Sequence, residues 1–338
     1  MSRQCVIGVD LGGTNVRAGA FYDDGSNAGV SYSNPSNAQL GTEAIVEAIA
    51  ATIAQASESA DCKPAAVGLA VPGHIDDARG MVVWAPNFGE ERDDVFHSWN
   101  DVPLGTMLEE RTGIEIHMGN DANLAALGEY RFGSGRNSAK CLVMITVGTG
   151  IGGGVVMSPH SVQGDARGPL VLLGGNKGGM ELGHIIVQYG GLDCNAGSYG
   201  ALEGYCQRDS IIARAQHRLR RGRSSSLQSL DIAKITPKDL TGAADAGDEL
   251  AIEVWDEVGE MLGAGLGSLI NVFAPDVLAI GGQIAKAGDW LIKPAIKSAR
   301  NVAVPSLFRD ADIRVAEQIE DAGMLGGAAL ALEIIRGR

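Results

Sequence analysis

The chain reads as an α/β protein of two related halves, and three features say so. Apolar runs of strand length alternate with helical patterns along most of the sequence. A strand, a glycine-rich turn and a second strand occur twice, across residues 5–22 and again across 141–157. The 338 residues amount to roughly two domains on the usual size prior.

CVIGVDL and NVRAGAFY flank a Gly-Gly-Thr turn and predict a β-hairpin. Residues 42–59 space their apolar groups as a helix entered at a Thr cap. AAVGLAVPG and IEIHMGN are short apolar strands ending in turn residues, and DANLAALGEYRF is a helix entered through Asn120 and Asp121. CLVMITVG and IGGGVVM make the second hairpin. A helix over about 248–273, the strands VLAIGGQ and DIRVAE, and a closing helix AGMLGGAALALEIIR complete the pattern. Three stretches read as irregular: 89–100, charged and loop-like; 158–180, Gly-rich without periodicity; and 218–229, a basic, serine-rich segment expected to be a solvated loop between helices.

Composition narrows the function classes. With 45 % hydrophobic and 20 % charged residues the chain can bury sizeable cores. The net charge of −14 repels phosphate backbones and anionic lipid, so no nucleic-acid or membrane-surface binding is expected. A phosphorylated ligand needs only a local site and stays open. Glycine is 48 of 338, about twice the usual ~7 %, and must serve positive-φ turns or close approaches. Five scattered cysteines suggest no disulfide framework and fit a reducing compartment. The longest uncharged apolar stretch, 141–157, is too short and too glycine-rich for a membrane helix. A cytoplasmic protein is the expectation.

Four motifs carry chemistry. Asp10-Leu11-Gly12-Gly13-Thr14 follows a strand; paired glycines can aim N–H groups at an anion, and the carboxylate before them suits a divalent metal. An ordinary β-turn explains the same residues as well. Thr146–Gly154 contains G-x-G-x-x-G, but a strand follows and no carboxylate falls about 20 residues on, so a dinucleotide fingerprint is set aside. A second phosphate-gripping hairpin fits better. Asn120-Asp121 stands at a strand-to-helix junction, where a carboxylate can take a hydroxyl proton or simply cap the helix. Glu181, His184 and Glu203 offer donors and acceptors suited to a polyhydroxylated ligand. Zinc on His184 and Cys194 fails on ligand count, because a closed site needs four.

Taken together, D-x-G-G-T-x-x-R, V-P-G, N-D-A-N, T-x-G-T-G-x-G-G-G, E-x-G-H and a distal L-E-G resemble the ROK family of sugar repressors and sugar kinases, from Asp10 to Ala331. The resemblance implies a two-lobed actin-like or hexokinase-like ATPase fold of duplicated ribonuclease H-like lobes with an interlobe cleft. The small lobe would be residues 1–119 plus 320–338 and the large lobe 120–319, since that family's last helix returns to the first lobe. It also implies an ATP-dependent hexose kinase, most readily a glucokinase of glycolysis acting on the 6-hydroxyl of glucose. Asp121 would be the catalytic base. Asp10, Gly12, Gly13 and Thr14 would form one phosphate loop, with Asp10 serving Mg²⁺ through water or phosphate. Gly148, Thr149 and Gly150 would form the other loop, and Gly281 and Gly282 would meet the adenosine. Pro72, Gly73, Asn87, Asn120, Asp121, Glu181, His184 and Glu203 would face the sugar, and a homodimer is expected.

Two departures stand out. The family's zinc element is one His with C-x-C-G-x-x-G-C-x-E, whereas this sequence reads Cys194, Ala196 and Ala201 at the cysteine positions. No structural zinc is therefore expected, with His184 oriented by a hydrogen bond to backbone or carboxylate. The segment between the second hairpin and Glu181 is unusually long. The sugar residues fit hexoses without naming one, so fructose, mannose or N-acylhexosamine kinases remain, as does phosphoryl donation by polyphosphate or ADP. A non-catalytic ROK sugar sensor is the other class. Only nine residues precede Asp10, so a helix-turn-helix module is not expected. A filament or chaperone ATPase would share the phosphate loops but would not need Glu181, His184 and Glu203.

Overall fold

A computed structural model describes residues 4–136, 138–163, 168–194 and 196–337. Residues 164–167 of the glycine-rich 158–180 stretch lie outside them. By internal contact the chain divides into Met1–Ala139, Gly154–Met180 and Glu320–Arg338 as one unit, and Lys140–Gly153 with Glu181–Ile319 as the other. Residues 120–139 and 154–180, which the resemblance assigned to the large lobe, thus cluster with the first unit.

The first hairpin forms as the sequence predicts, β1 (Cys5–Leu11) antiparallel to β2 (Asn15–Tyr22). Next come β3 (Tyr32–Pro35), α1 (Thr42–Ser59), β4 (Pro64–Val71), β5 (His74–Asp76), β6 (Met81–Arg92), β7 (Val95–Val102), α2 (Leu104–Thr112), β8 (Ile116–Asn120) and α3 (Asp121–Phe132). Their main sheet has the order β3-β2-β1-β4-β8. β1 is apolar at almost every position because the sheet is covered on both faces, and such strands do not alternate. Thr42 is the first helical residue of α1 rather than its cap; Gly41 caps, at φ 93°. The Thr42 hydroxyl instead accepts from Trp99 Nε1 at 3.0 Å.

Residues 89–100 are not a loop. They are the end of β6 and most of β7, paired Glu90 to His97, Glu91 to Phe96 and Arg92 to Val95. The turn uses Asp93 and Asp94 at φ 52° and 60°. Exposed charges on the hairpin's tip hide its period, while Phe88 and Trp99 fill its buried base, their ring centroids 5.3 Å apart. The cysteines also depart from expectation: Cys5 and Cys62 form a disulfide. Their 57-residue separation gave no signal, because only the course of α1 and β4 brings the two Cα atoms to 6.3 Å. Cys141, Cys194 and Cys206 are free and buried.

The second sheet has the order β11-β10-β9-β12-β13, built from β9 (Cys141–Val147), β10 (Ile151–Met157), β11 (Leu170–Val171), β12 (Val277–Gly281) and β13 (Asp312–Val315). Its helices are α4 (Leu202–Cys206), α5 (Arg208–Arg220), α6 (Pro237–Asp245), α7 (Glu249–Phe273), α8 (Asp289–Val302) and α9 (Pro305–Asp310). The basic stretch 218–229 is more than a solvated loop. Arg218–Arg220 finish α5, Arg218 and Arg223 pair with Glu257 and Glu253 of α7, and Ser225 and Ser226 donate to Asp248, the α7 cap.

The last helix, α10 (Ala322–Gly337), belongs to the first unit and packs on β1, β4 and α3. It lies close because glycines meet there: a Cβ on Gly68 of β4 would stand 1.8 Å from the Gly327 carbonyl oxygen. Val6, Phe21 and Ala66 share its core with Met324, Leu325, Ala328 and Leu332. Among the described residues no helix is long and apolar enough to cross a membrane.

Candidate functional site

Within the first unit, β1 delivers Asp10 to the turn closed by Gly12 N–H on the Asn15 carbonyl at 2.9 Å. A Cβ on Gly13 would meet nothing within 4 Å, and Thr14 is exposed, so this backbone is open to a ligand. Asp10 is half-buried and its carboxyl is pushed up to about 6. Burial is the largest cause; the Asp121 charge adds to it, Arg17 opposes and Asp321 adds again. Arg17 is itself fixed by Asp321 Oδ1 at 2.6 Å and the Glu320 carbonyl at 2.5 Å. A carboxylate whose charge is disfavoured among acids is a fitting ligand for a divalent cation, so the Mg²⁺ expectation has a suitable residue.

β8 ends in Asn120, whose side-chain oxygen caps α3 by accepting from the Ala122 and Asn123 N–H groups. Its amide donates to the Gly73 carbonyl at 3.1 Å, tying the Pro72-Gly73 turn to the helix start. Asp121, the first residue of α3, accepts from Ala122 N–H at 2.8 Å. Cap and carboxylate thus occupy successive positions, and the capping reading of Asn120-Asp121 holds for Asn120 alongside its expected substrate role. Asn87 is exposed on β6, where the pairing with β7 is irregular. Pro72 is half-buried. Lys177 pairs with Asp76 and holds that carboxyl below its usual range, a link the sequence did not signal.

Within the second unit, the β9–β10 turn is closed by Gly148 N–H on the Gly150 carbonyl at 2.9 Å. Gly148 has open space where a Cβ would be, as Gly13 does. Gly148 and Thr149 line a cavity of about 730 Å³ with Thr236, Lys238, Trp255 and Ile284. That volume lies in the range of small-molecule sites. Gly281 and Gly282 do not line it; they set up Gln283 and Ile284, which do. Gly282 has φ 80°, and a Cβ there would lie 2.3 Å from the Val147 carbonyl oxygen, so only glycine lets β12 turn against β9.

Glu203, at the start of α4 and only 9 % exposed, accepts from Ile151 N–H through Oε2 at 2.8 Å. Its other oxygen, Oε1, accepts from the Cys194 thiol at 3.6 Å. The same sulfur is 3.6 Å from His184 Nδ1. His184 is therefore neighboured by a thiol rather than by the backbone or carboxylate group expected. His184 N–H donates to the Glu181 carbonyl at 3.0 Å, which places both in one turn, with Glu181 exposed. Burial pushes the Cys194 thiol up. Cys194 drew attention in the sequence only as a remnant of a metal motif.

The sequence model of the ROK family matches residues 6–334. The glucokinase of Thermotoga maritima is 34 % identical over 340 residues, covering all of both chains. A ROK family glucokinase from Streptomyces griseus, solved with glucose and AMPPNP, superposes with a TM-score of 0.78 at 32 % identity, covering 97 % of this chain and 99 % of that one. The Escherichia coli repressor Mlc is 30 % identical over 264 residues, which is 78 % of this chain and 59 % of the repressor.

Proposed function

Since the chain belongs to the ROK family, we propose that it is a glucokinase transferring the ATP γ-phosphoryl group to the 6-hydroxyl of glucose. The observation that carries this reading is the doubly held Glu203. One oxygen fixes Ile151, directly after the Gly148–Gly150 turn, while the other reaches toward His184 through Cys194. A carboxylate suited to sugar hydroxyls is thereby locked to a turn suited to phosphates. The full-length likeness to the Thermotoga maritima glucokinase, and to a relative solved with glucose and AMPPNP, supports the same pairing of acceptor and donor.

In this reading Asp121 accepts the hydroxyl proton late in a loose transition state, and Asn120 and Gly73 orient the sugar beside it. Glu181, His184 and Glu203 would hold sugar hydroxyls, and Pro72 and Asn87 would face the sugar. The backbone N–H groups of Gly12, Gly13, Thr14 and of Gly148, Thr149, Gly150 cradle phosphates, and Gly281-Gly282 shape the adenosine end. Asp10 would hold Mg²⁺ through water or phosphate, and the ion would neutralise charge on the phosphates. A cytoplasmic homodimer feeding glycolysis completes the proposal. Residues 1–119 with 320–338 would act as its small lobe and 120–319 as its large one.

An ADP-release assay across hexoses and donors tests it. Glucose with ATP should be the fastest pair; an N-acylated amino sugar or polyphosphate turned over far faster would reassign acceptor or donor. The second reading, a sugar sensor that binds without transfer, is favoured by the likeness to Mlc. Measured sugar binding with no turnover of any hexose would select it.

A further inference from the structure

The ROK resemblance implies a zinc clamp on His184, and the residues present do not form one. Three ligand atoms, from His184, Cys194 and Glu203, lie within 4.8 Å of one another. Ala196 and Ala201 stand where two further thiolates would be needed, and both are without ligand atoms in their side chains. Glu203 accepts from the Ile151 N–H on one oxygen and from the Cys194 thiol on the other. A closed tetrahedral shell needs four ligands, so the set falls short.

We propose that the Cys194 thiol replaces the metal as the positioning group, joining His184 to Glu203 in a hydrogen-bonded chain. The direction of one link fixes that of the other. Cys194 S–H donates to Glu203 Oε1 at 3.6 Å. With its one proton given to Glu203, the sulfur has only lone pairs to offer His184 Nδ1, 3.6 Å away, so Nδ1 must carry the proton in this chain. The backbone that carries the thiol is fixed by Cys194 N–H on the Ser198 carbonyl at 2.9 Å and Gly197 N–H on the Cys194 carbonyl at 2.8 Å. Glu203 Oε2 then passes the constraint to Ile151 and the phosphate-suited turn before it.

The chemical consequence is a fixed tautomer. With its proton on Nδ1, His184 presents an unprotonated Nε2, an acceptor for a hydroxyl donor. Burial keeps the thiol neutral, as an S–H donor must be; Cys194 is 4 % exposed. A neutral thiol is a weak hydrogen-bonding group, yet here it is the group that fixes a partly exposed imidazole from the interior side. This inference rests on the hexose-kinase reading only for what Nε2 serves.

The test uses the untagged, full-length protein. Metal analysis should find well under one zinc per chain. Nitrogen-15 NMR of the histidines, without substrates, should show the Nδ1–H tautomer for His184. Cys194→Ser should keep that tautomer; Cys194→Ala and the near-isosteric Cys194→Val should lose it. In kinetics the KM for glucose should rise about tenfold in the Ala and Val variants, the scale of one lost hydrogen bond, with the KM for ATP unchanged and Ser restoring most of the loss. One zinc per chain, removed by chelation together with the tautomer, overturns the proposal. So does an unchanged tautomer in both the Ala and Val variants. If the wild type phosphorylates no hexose, the kinase reading fails, while the NMR comparison still decides the role of the thiol.

Discussion

Asp10 carries a charge that its surroundings disfavour, with a folded value of about 6 against 3.8 for the free group. The native state binds this proton more tightly than the unfolded chain. Stability from this group therefore falls as pH rises from 3.8 toward 6, and the penalty persists above it. Two pKa units correspond to at most about 3 kcal/mol. Asp10→Asn, measured by denaturant unfolding without Mg²⁺, should thus be more stable than wild type at pH 7–8 and equal to it near pH 3, while losing phosphoryl transfer. Equal stabilities at pH 7 would refute the assignment of strain to Asp10. Asp121→Asn should fold and bind glucose but lose kcat by roughly 10²–10⁴, the usual worth of a general base. Near-normal kcat in that variant would exclude Asp121 as the base. The placement of both carboxylates, before the first glycine turn and at the start of α3, was legible in the sequence, because each sits in a short contiguous motif. Cys194 was not, since its role depends on Glu203 arriving from nine residues away, at the start of α4.

Strands and helices with apolar periodicity were legible too, including both glycine-turn hairpins and the 25-residue α7. The β6–β7 hairpin was hidden, because charged residues at an exposed tip mask alternation while the buried Val82, Ala85, Phe88, Trp99 and Val102 lie toward its other end. The function of the glycine excess was legible only in outline. Within α10 the glycines look like helix-weakening residues, but they let its backbone touch β1 and β4: a Cβ on Gly8 would be 1.9 Å from the Met324 carbonyl oxygen. Gly327→Ala, whose Cβ would lie 2.2 Å from the Gly68 carbonyl oxygen, should therefore destabilise the first unit by about 1–3 kcal/mol, against any gain in helix propensity. Circular-dichroism melting checks this, and a stabilised variant would contradict the close packing.

Taken whole, the molecule has one covalent staple, Cys5–Cys62, among the described residues, and it lies within the first unit. Closing a loop of 57 residues is worth up to about 4 kcal/mol in the chain-entropy picture. Adding reductant, or Cys62→Ser, should lower the melting temperature of that unit by several degrees; no change would mean the bond contributes nothing in solution. The same unit is completed by a segment remote in sequence. α10 enters the core of Val6, Phe21 and Ala66 only after every residue of the second unit has been made. During synthesis on the ribosome, at about 5–20 residues per second, the sheet of β1 and β4 must wait with that apolar face uncovered. The nascent chain is thus a natural client for a chaperone that shields apolar surface, and the unit built first is the one finished last.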